Sequence, residues 1–436
     1  MQALSPLDGR YRAKIDALAP YFSEESLNKA RLEIEVRYFI ALSKEGGVRE
    51  LPKITASQEK ALLLLIKKFN DKDAAAIKTI EKTTNHDVKA VEYFLKKQIS
   101  KIKGLSKSVE FIHFGLTSED VNNLSYGILI SRALKNVVIP TTSDYVANIK
   151  KLASANRSVA LLSLTHGQPA TPTTLGKEMM VFVDRLNRQL AQLKSFKMHG
   201  KLGGAVGNFS AHKAAYPKVN WENFGKKFIK SLGLDPLTNT TQINPHDDIA
   251  ECSHIMFRMN TISIDLSRDI WSYISRGVFG QKVIKGEVGS STMPHKVNPI
   301  DFENAEGNFG LSNALFSHFA EKLPISRLQR DLSDSTVQRS VGVAFGYSLL
   351  ATRSIQKGLG KLSVKKNVIK AELDAHPEVL GEAIQTVLRK NGVKNAYEKM
   401  KELTRGEKVT KKDLHAFVSG LKIPKEDKKR LEKLCR

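Results

Sequence analysis

Cysteine is almost missing from this chain of 436 residues, which contains only Cys252 and Cys435. The two lie far apart and neither belongs to a CxxC pair, which excludes a disulfide framework, a zinc ribbon and a thioredoxin-like motif. Long apolar runs are missing too, since none approaches the roughly 18 residues that a membrane helix needs. The opening residues, MQALSPLDGRYRAK, contain no apolar segment of a secretion signal. These absences predict a reduced, cytoplasmic protein.

Acidic residues are few, because 45 Asp and Glu face 69 Lys and Arg and leave a net charge of +24. A basic surface can bind the phosphates of a nucleic acid, or it can steer small anionic substrates into a positive cleft. Aromatic residues that would stack on bases make up only 7% of the chain. No RNP, KH or zinc-knuckle signal is present. We therefore expect no nucleic-acid partner and no membrane partner, and interpret most of the charge as solvated surface.

Alternating patterns typical of strands are almost absent, and the dominant period is helical. Apolar residues at steps of three and four predict a long helix from His254 to Phe279. A second helix is predicted through Leu175 to Leu193, with Pro172 of the preceding TPTT in its first turn. A third should begin at Thr117, where TSED is a capping signal, and should end at Pro140. Several such helices favour a bundle, and a chain of this length allows two or three domains.

Signatures of cofactor and metal sites are missing. The glycine-rich stretch LGGAVGN, from Leu202 to Asn208, does not fit GxGxxG and lacks the strand and helix that should flank it. The chain contains no HExxH motif and no Cys/His cluster, and GSSTM is not the GxSxG elbow of a serine hydrolase. We therefore expect no cofactor and no metal.

Five polar, turn-rich segments separate the helices, and these are where chemistry would lie. They are TTNHDVK (83–89), LTHGQPATP (164–172), QINPHDD (242–248), GSSTMPHKVNP (289–299) and RDLSDSTVQR (330–339). Each of their histidines, taken alone, is more often structural than catalytic, and paired serines beside a proline can simply cap a helix. From the residues alone both interpretations stay open.

Together these segments resemble a known family. GSSTMPHKVNP is similar, without a gap, to the signature loop of the aspartase/fumarase superfamily, whose members release fumarate from a succinyl group. SPLDGRYR, KTTNHDVKAVEYFL, EFIHFGLTSEDVNNLS, THGQPATPTTLGKEM, GAVGNFSAH, TTQINPHD and RDLSDSTVQR resemble the adenylosuccinate lyase family of bacterial purine biosynthesis. The resemblance runs from about residue 5 to about residue 410.

The resemblance implies an all-α fold with three helical domains, at residues 1–115, 116–355 and 356–436. The central domain would be a bundle of long helices that forms the twenty-helix core of a homotetramer. It also implies active sites that are shared between subunits, each built from three chains.

The implied reaction is a β-elimination that cleaves adenylosuccinate to AMP and fumarate, and likewise releases fumarate from the succinyl-aminoimidazole carboxamide ribotide. By resemblance, Ser290 is the general base and His166 the general acid. Glu303 would orient the His166 imidazole and raise its pKa, which keeps it protonated for donation.

The resemblance also implies a set of substrate-binding residues. Donors to the succinyl carboxylate would be Thr117, Ser118, Lys296 and Asn298, and the phosphate would meet arginine forks. The remaining implied contacts are Arg10, Tyr11, Asn85, His86, Asp87, Gln242, Ser291, Val297, Asn304, Arg330, Ser335, Thr336, Val337, Gln338 and Arg339. The segment 286–298 should open and close around the substrate.

Three other interpretations remain. The chain could be another fumarate-releasing lyase, such as an argininosuccinate lyase, although the NHD and STVQR blocks disfavour it. It could be a basic helical RNA-binding protein, or a structural protein with an inactive lyase fold. The joint presence of Ser290, His166, Lys296 and Glu303 disfavours the inactive version.

Overall fold

The computed structural model describes residues 2–286, 292–293, 295–406 and 409–435. Within them the chain is built from α-helices and three small two-stranded β-pairs, so the predicted all-α class is confirmed. The helices are α1 Arg12–Ile15, α2 Ala19–Phe22, α3 Glu24–Lys44, α4 Ala56–Lys68, α5 Asp71–Thr84, α6 Asp87–Ile99, α7 Ser118–Ala133, α8 Ile139–Ala155, α9 Leu175–Ser195, α10 Ser210–Ala215, α11 Trp221–Ser231, α12 Asp247–Ser275, α13 Ile300–Lys322, α14 Ser333–Gln338, α15 Val341–Lys361, α16 Lys366–Asp374, α17 Gly381–Lys390, α18 Ala396–Thr404, α19 Lys411–Ser419 and α20 Lys425–Leu434.

The chain divides into two compact units. The first unit comprises Met1–Asp144, Leu186–Asp265 and Asn304–Ser354, and the second comprises Tyr145–Arg185, Leu266–Glu303 and Ile355–Arg436. The three domains expected from the sequence, with boundaries after residues 115 and 355, stay a prediction.

The first unit has a large apolar core whose biggest members are aromatic. Tyr38, Phe39 and Trp221 are each 0% exposed. The Tyr38 ring meets the edges of Phe224 and Phe228, and its hydroxyl donates a 2.8 Å hydrogen bond to the Phe114 carbonyl. Burying each such side chain contributes about 2 kcal/mol, so this core anchors α3 and α11 together.

Helix starts follow local capping chemistry. Helix α4 begins with a reciprocal box in which the Gln58 N–H donates to Thr55 Oγ1 and the Thr55 N–H donates to Gln58 Oε1. Helix α7 begins as predicted, because the Thr117 N–H donates a 2.9 Å bond to Oδ2 of Asp120.

The prediction that Pro140 ends this helix is wrong. The chain passes from α7 through a π-helical turn, Leu134–Val138, directly into α8 at Ile139. Pro140 therefore lies in the first turn of α8, and the π-helical turn that precedes it accommodates the proline without ending the helix.

The predicted start of the helix through Leu175 is also wrong. Pro172 lies in strand β2 (Gln168–Thr174), which pairs antiparallel with β1 (Ala160–Thr165), and α9 starts only at Leu175. The reason is cross-strand pairing with a segment that the local pattern does not reveal. The apolar face of α9 is otherwise as expected, with Leu175 and Leu186 both fully buried.

Helix α12 confirms the longest predicted helix, but both of its predicted ends are wrong, since it begins at Asp247 and not at His254. It ends at Ser275 because Gly277 adopts a φ of +76°, and Phe279 begins strand β5 (Phe279–Gln281), which pairs with β6 (Leu362–Val364). A third pair joins β3 (His199–Gly200) to β4 (Asp235–Pro236) in the first unit.

The C-terminal helices have a separate small core. Ile384, Leu388, Leu414 and Val418 are each 0% exposed and pack with Leu431. No helix among the described residues is both long enough and apolar enough to span a membrane.

Candidate active site

Many of the predicted site residues in the first unit lie where helices begin or end. Asn85 ends α5 with a φ of +50°, His86 caps α6, and Thr117 caps α7. The helix N-termini leave N–H groups that favour an anionic ligand. Other members of the set precede α12 or lie in and beside α14: Gln242, Arg330, Ser335, Thr336, Val337, Gln338 and Arg339.

Asp87 forms ion pairs with two arginines. Its Oδ2 accepts a 2.7 Å hydrogen bond from Nη2 of the buried Arg31 and a 3.2 Å bond from Nη2 of Arg339. Burial would raise the pKa of Asp87, but Arg31, the Val88 N–H and Arg339 outweigh it and leave the pKa below its usual value. Arg339 is 62% exposed, so its other donors remain open to a ligand.

A cavity of about 170 Å³ adjoins this ion pair. Its lining includes Arg31, Asp87, Gln338 and Arg339, together with Tyr126. The structure therefore brings residues from α6 and α14 to one concave surface of the first unit, which also carries two arginines.

His86 and Ser118 also meet. The imidazole Nδ1 of His86 accepts from the Lys89 N–H at 3.1 Å, and its Nε2 lies 3.5 Å from Oγ of Ser118. Since Nδ1 accepts, the proton of the neutral ring belongs on Nε2, which faces Ser118.

A fully buried ion pair supports the start of α7. Nζ of Lys201 lies 2.7 Å from Oδ1 of Asp120, and both side chains are 0% exposed. Asp120 also accepts from the N–H groups of Thr117, Gly203 and Gly204. This network ties the glycine-rich LGGAVGN segment to the helix that presents Thr117 and Ser118.

Gln242 and Arg330 form another predicted pair. Arg330 Nη1 donates to Oε1 of Gln242 at 3.2 Å, and Gln242 Nε2 donates to the Ala205 carbonyl at 2.8 Å. Tyr11 and Asn304 are also brought together, with 3.5 Å between the Tyr11 hydroxyl and Nδ2 of Asn304. Arg10 lies beside Tyr11, its guanidinium 5.8 Å from the ring centre.

Beneath these residues lies a buried triad, Glu119, His246 and Asp334, which the sequence analysis did not select. Imidazole Nε2 of His246 is 3.4 Å from Oδ2 of Asp334 and 4.0 Å from Oε1 of Glu119. Two signals in the sequence could have pointed to it: the TSED and NPHD motifs both carry charged residues onto helix starts. His246 also has a φ of +60°, a strained conformation for a non-glycine residue.

Burial raises the pKa of Glu119 to about 7, and the nearby Asp334 adds to the effect against the attraction of His246 and Arg330. For Asp334, burial also acts to raise the pKa, but hydrogen bonds from His246 and the Ser335 N–H outweigh it and lower the value. The triad atoms lie within 4.8 Å of one another, so their donor set could hold a divalent cation. Gln338 and Arg330 contact the same groups, however, and would have to move aside for an ion.

In the second unit, His166 lies at the turn between β1 and β2, exposed and with a φ of +54°. Glu303, in the first turn of α13, accepts a 3.1 Å hydrogen bond from Nε1 of Trp271. Within the described residues of this single chain, Glu303 and His166 make no hydrogen bond or ion pair with each other. Their pairing stays a prediction.

The signature loop is described only in part. Lys296 and Val297 are exposed, Asn298 is half-buried, and the Val297 carbonyl accepts a 2.9 Å bond from Gln281 Nε2. Ser290 and Ser291 lie outside the described residues.

Comparison with known proteins identifies the family. A model described as "Lyase" matches residues 9–310, and one described as "Adenylosuccinate lyase C-terminal" matches residues 326–436. Two solved structures share the fold. One is a 3-carboxy-cis,cis-muconate lactonizing enzyme from Pseudomonas putida, with a TM-score of 0.78 and 18% identity over 98% of this chain and 94% of that one. The other is a beta-carboxy-cis,cis-muconate cycloisomerase from Acinetobacter calcoaceticus, with a TM-score of 0.75 and 17% identity over 98% of this chain and 95% of that one.

Relatives named adenylosuccinate lyase are far more similar in sequence. The protein of Legionella pneumophila is 53% identical over 434 residues, covering 100% of this chain and 95% of that protein. Those of Escherichia coli and Haemophilus influenzae are 51% and 50% identical, each over at least 99% of this chain and 95% of the relative. The chain belongs to the adenylosuccinate lyase family.

Proposed function

We propose that this chain cleaves adenylosuccinate to AMP and fumarate, and the succinyl-aminoimidazole carboxamide ribotide to its carboxamide and fumarate, in purine biosynthesis. The observation that carries the proposal is identity of 50% or more, over nearly the whole chain, to relatives that bear this enzyme's name. An uninterrupted GSSTMPHKVNP motif and the two arginines that bond to Asp87 support it.

The reaction requires a base and an acid on opposite sides of a C–N bond. We assign the base to Ser290, which removes a proton from the carbon beside a succinyl carboxylate. His166 donates a proton to the departing nitrogen, so the C–N bond breaks as the C=C bond of fumarate forms. An ordinary serine hydroxyl is too weak an acid for this role, and nearby positive charge such as Lys296 would have to lower its pKa.

Negative charge grows on the succinyl carboxylate during proton removal. Donors fixed beside those oxygens stabilise the transition state more than the ground state. Thr117 and Ser118, at the N-terminus of α7, and Lys296 and Asn298 of the signature loop are assigned this role. Gln242 and Ser291 are assigned to the same end of the substrate.

The phosphate is assigned to the arginines of the first unit. Arg330 and Arg339 can each present two parallel N–H groups to a phosphate. Asp87 suits the ribose hydroxyls, since its lowered pKa keeps it an acceptor at neutral pH. The net charge of +24 would assist capture of a polyanionic substrate over distances shorter than the roughly 10 Å screening length of salt.

We also propose that the protein is a cytoplasmic homotetramer whose active sites are shared between subunits. Large apolar side chains are exposed on the long helices, including Val181 of α9, Trp271 of α12 and Leu311 of α13, which are 45%, 45% and 52% exposed. Exposed apolar faces of this kind favour association with further copies of the chain.

The test is direct. Purified protein should release fumarate from adenylosuccinate, followed by the change in ultraviolet absorbance, and should leave argininosuccinate intact. Failure to cleave adenylosuccinate under conditions in which the protein is folded would reject the proposal. Sedimentation at several protein concentrations tests the tetramer separately.

A further inference from the structure

The buried triad of Glu119, His246 and Asp334 contains charged groups that are not all hydrogen-bonded. All three side chains are at most 4% exposed. Within the described part of the chain, Oε1 of Glu119 and Nε of Arg330 are both buried without a hydrogen-bond partner. An unpartnered buried carboxylate is costly when it is charged and much less so when it is protonated.

The triad is connected to three predicted substrate-binding residues. Nη2 of Arg330 lies 3.6 Å from Oε2 of Glu119, and Nη1 of the same guanidinium donates to Gln242. On the other side, Nε2 of His246 is 2.8 Å from Nε2 of Gln338, the residue before Arg339. The triad therefore contacts Arg330 and Gln338 directly, and Gln242 through Arg330, and all three are predicted to bind the substrate.

The surrounding charges fix how many protons the triad holds. The groups that act on Glu119 are His246 and Asp334 of the triad, Arg330 beside α14, and Lys201. Lys201 is already paired with Asp120 at 2.7 Å, so among the described residues the two triad carboxylates face the Arg330 guanidinium and the His246 imidazole. Apart from His246, one cation faces two carboxylates, and a single proton within the triad balances the charge. Oε1 of Glu119 is a position for that proton, because it has no hydrogen-bond partner while Oδ2 of Asp334 lies 3.4 Å from Nε2 of His246.

We propose that Glu119, together with His246 and Asp334, is a positioning residue that controls Arg330 by holding or releasing a proton. This inference rests on the proposed function, because it concerns the same binding site. With the proton on Glu119, the Arg330 guanidinium is free to pair with the anionic substrate. Once the proton is lost, the carboxylate draws Arg330 inward and competes with the substrate for it.

The consequence is a ligand affinity that falls as pH rises. With a pKa of about 7, Glu119 changes from mostly neutral to mostly charged between pH 6 and pH 8. If only the neutral form leaves Arg330 free, the affinity for AMP falls by up to about tenfold over that interval.

The experiment measures the dissociation constant of AMP by titration calorimetry at pH 6 and pH 8, for the wild type and for Glu119→Gln. Glutamine copies the shape and neutrality of protonated glutamate. We expect the two proteins to bind AMP with equal affinity at pH 6. At pH 8 the wild type should have lost about tenfold more of its AMP affinity than Glu119→Gln. The AMP phosphate also titrates near pH 6, but it does so equally for both proteins. In turnover assays the variant should keep kcat and differ in the pH dependence of KM.

The matched control is Glu35→Gln. Glu35 is also 0% exposed and lies in the first unit, with 2.5 Å between its Oε1 and Nδ1 of His113. This control should keep the pH dependence of the wild type, whatever it does to stability.

Several outcomes would overturn the inference. One is a wild-type pH dependence retained in Glu119→Gln. Another is one divalent metal ion per chain that is present in the wild type and lost in the variant, which would make the triad a metal site. Should Glu119→Gln fail to fold, Glu119→Met, which is also neutral at every pH, replaces it: the pH-dependent loss should vanish, and its persistence would refute the idea. A wild type that cleaves no adenylosuccinate would instead remove the proposed function itself.

Discussion

Arg31 donates from Nη2 to Oδ2 of Asp87 over 2.7 Å while its own side chain is only 4% exposed. The same guanidinium donates to Oδ1 of Asn122 and of Asn28, so its position is determined from three sides. Asp87 is in this way oriented by a residue that the sequence analysis did not select, and that reaches it from α3.

Replacing this buried arginine should destabilise the fold. In Arg31→Met the Asp87 carboxylate loses its closest cation, and we expect the free energy of unfolding in urea to fall by about 3 kcal/mol. Arg12→Met is the control, since Arg12 is half exposed and its pair with Asp16 lies in solvent. An exposed pair of that kind contributes at most about 1 kcal/mol, so equal losses in the two variants would contradict the prediction.

The raised pKa of Glu119 predicts how stability changes with pH. The folded-state pKa of about 7 lies above the ordinary value of 4.5, so the contribution of Glu119 to stability is greatest below pH 4.5 and is lost as pH rises through 7. Glu119→Gln does not titrate, so its stability relative to the wild type should improve by up to about 3 kcal/mol between pH 4.5 and pH 8.

The contribution of Glu92 to stability should change with pH in the opposite direction. Burial acts to raise its pKa, but the hydrogen bond and charge of Lys89, together with His113 and Lys96, outweigh burial and lower it. Its contribution to stability is therefore present above pH 4.5 and disappears as pH falls. Urea unfolding of Glu92→Gln and Glu119→Gln at several pH values distinguishes the two signs, and parallel curves would refute both assignments.

Gly207 should not tolerate a side chain. Its φ is +74°, and an added Cβ would lie 2.2 Å from the Thr240 carbonyl oxygen, which is backbone and cannot move away cheaply. Gly207→Ala should lower the unfolding free energy by about 3 kcal/mol or more. Gly392→Ala is the matched control, because Gly392 has a similar φ of +68° with nothing within 4 Å, and should lose only about 1 to 2 kcal/mol.

The assigned base and acid predict the strongest losses of activity. Ser290→Ala and His166→Ala should each lower kcat about 10²-fold to 10⁴-fold, with the folded protein retained. His415→Ala is the control, since His415 lies on α19 among the C-terminal helices and bonds only to Ser419 within the described residues. Near-normal turnover in either active-site variant would reject the role of that residue.

The sequence by itself determined the helical class and the family. Apolar spacing of three and four residues predicts α9 and α12 because that period is a local property of the backbone. The GSSTMPHKVNP motif indicates the family for a similar reason, since its residues are consecutive in the sequence and the motif is recognised without a structure. Its serines nevertheless lie outside the described residues, so their roles rest on resemblance and on the proposed experiments.

Only the tertiary structure decided which side chains meet. Pro172 joins a strand because Ala160–Thr165 pairs with it, and Pro140 continues a helix because a π-helical turn precedes it. Glu119, His246 and Asp334 form one buried triad although more than 80 residues separate each from the next in sequence. Such contacts depend on how distant helices pack, and the free energy of burying a charge depends on what surrounds it, so neither can be calculated from spacing along the chain.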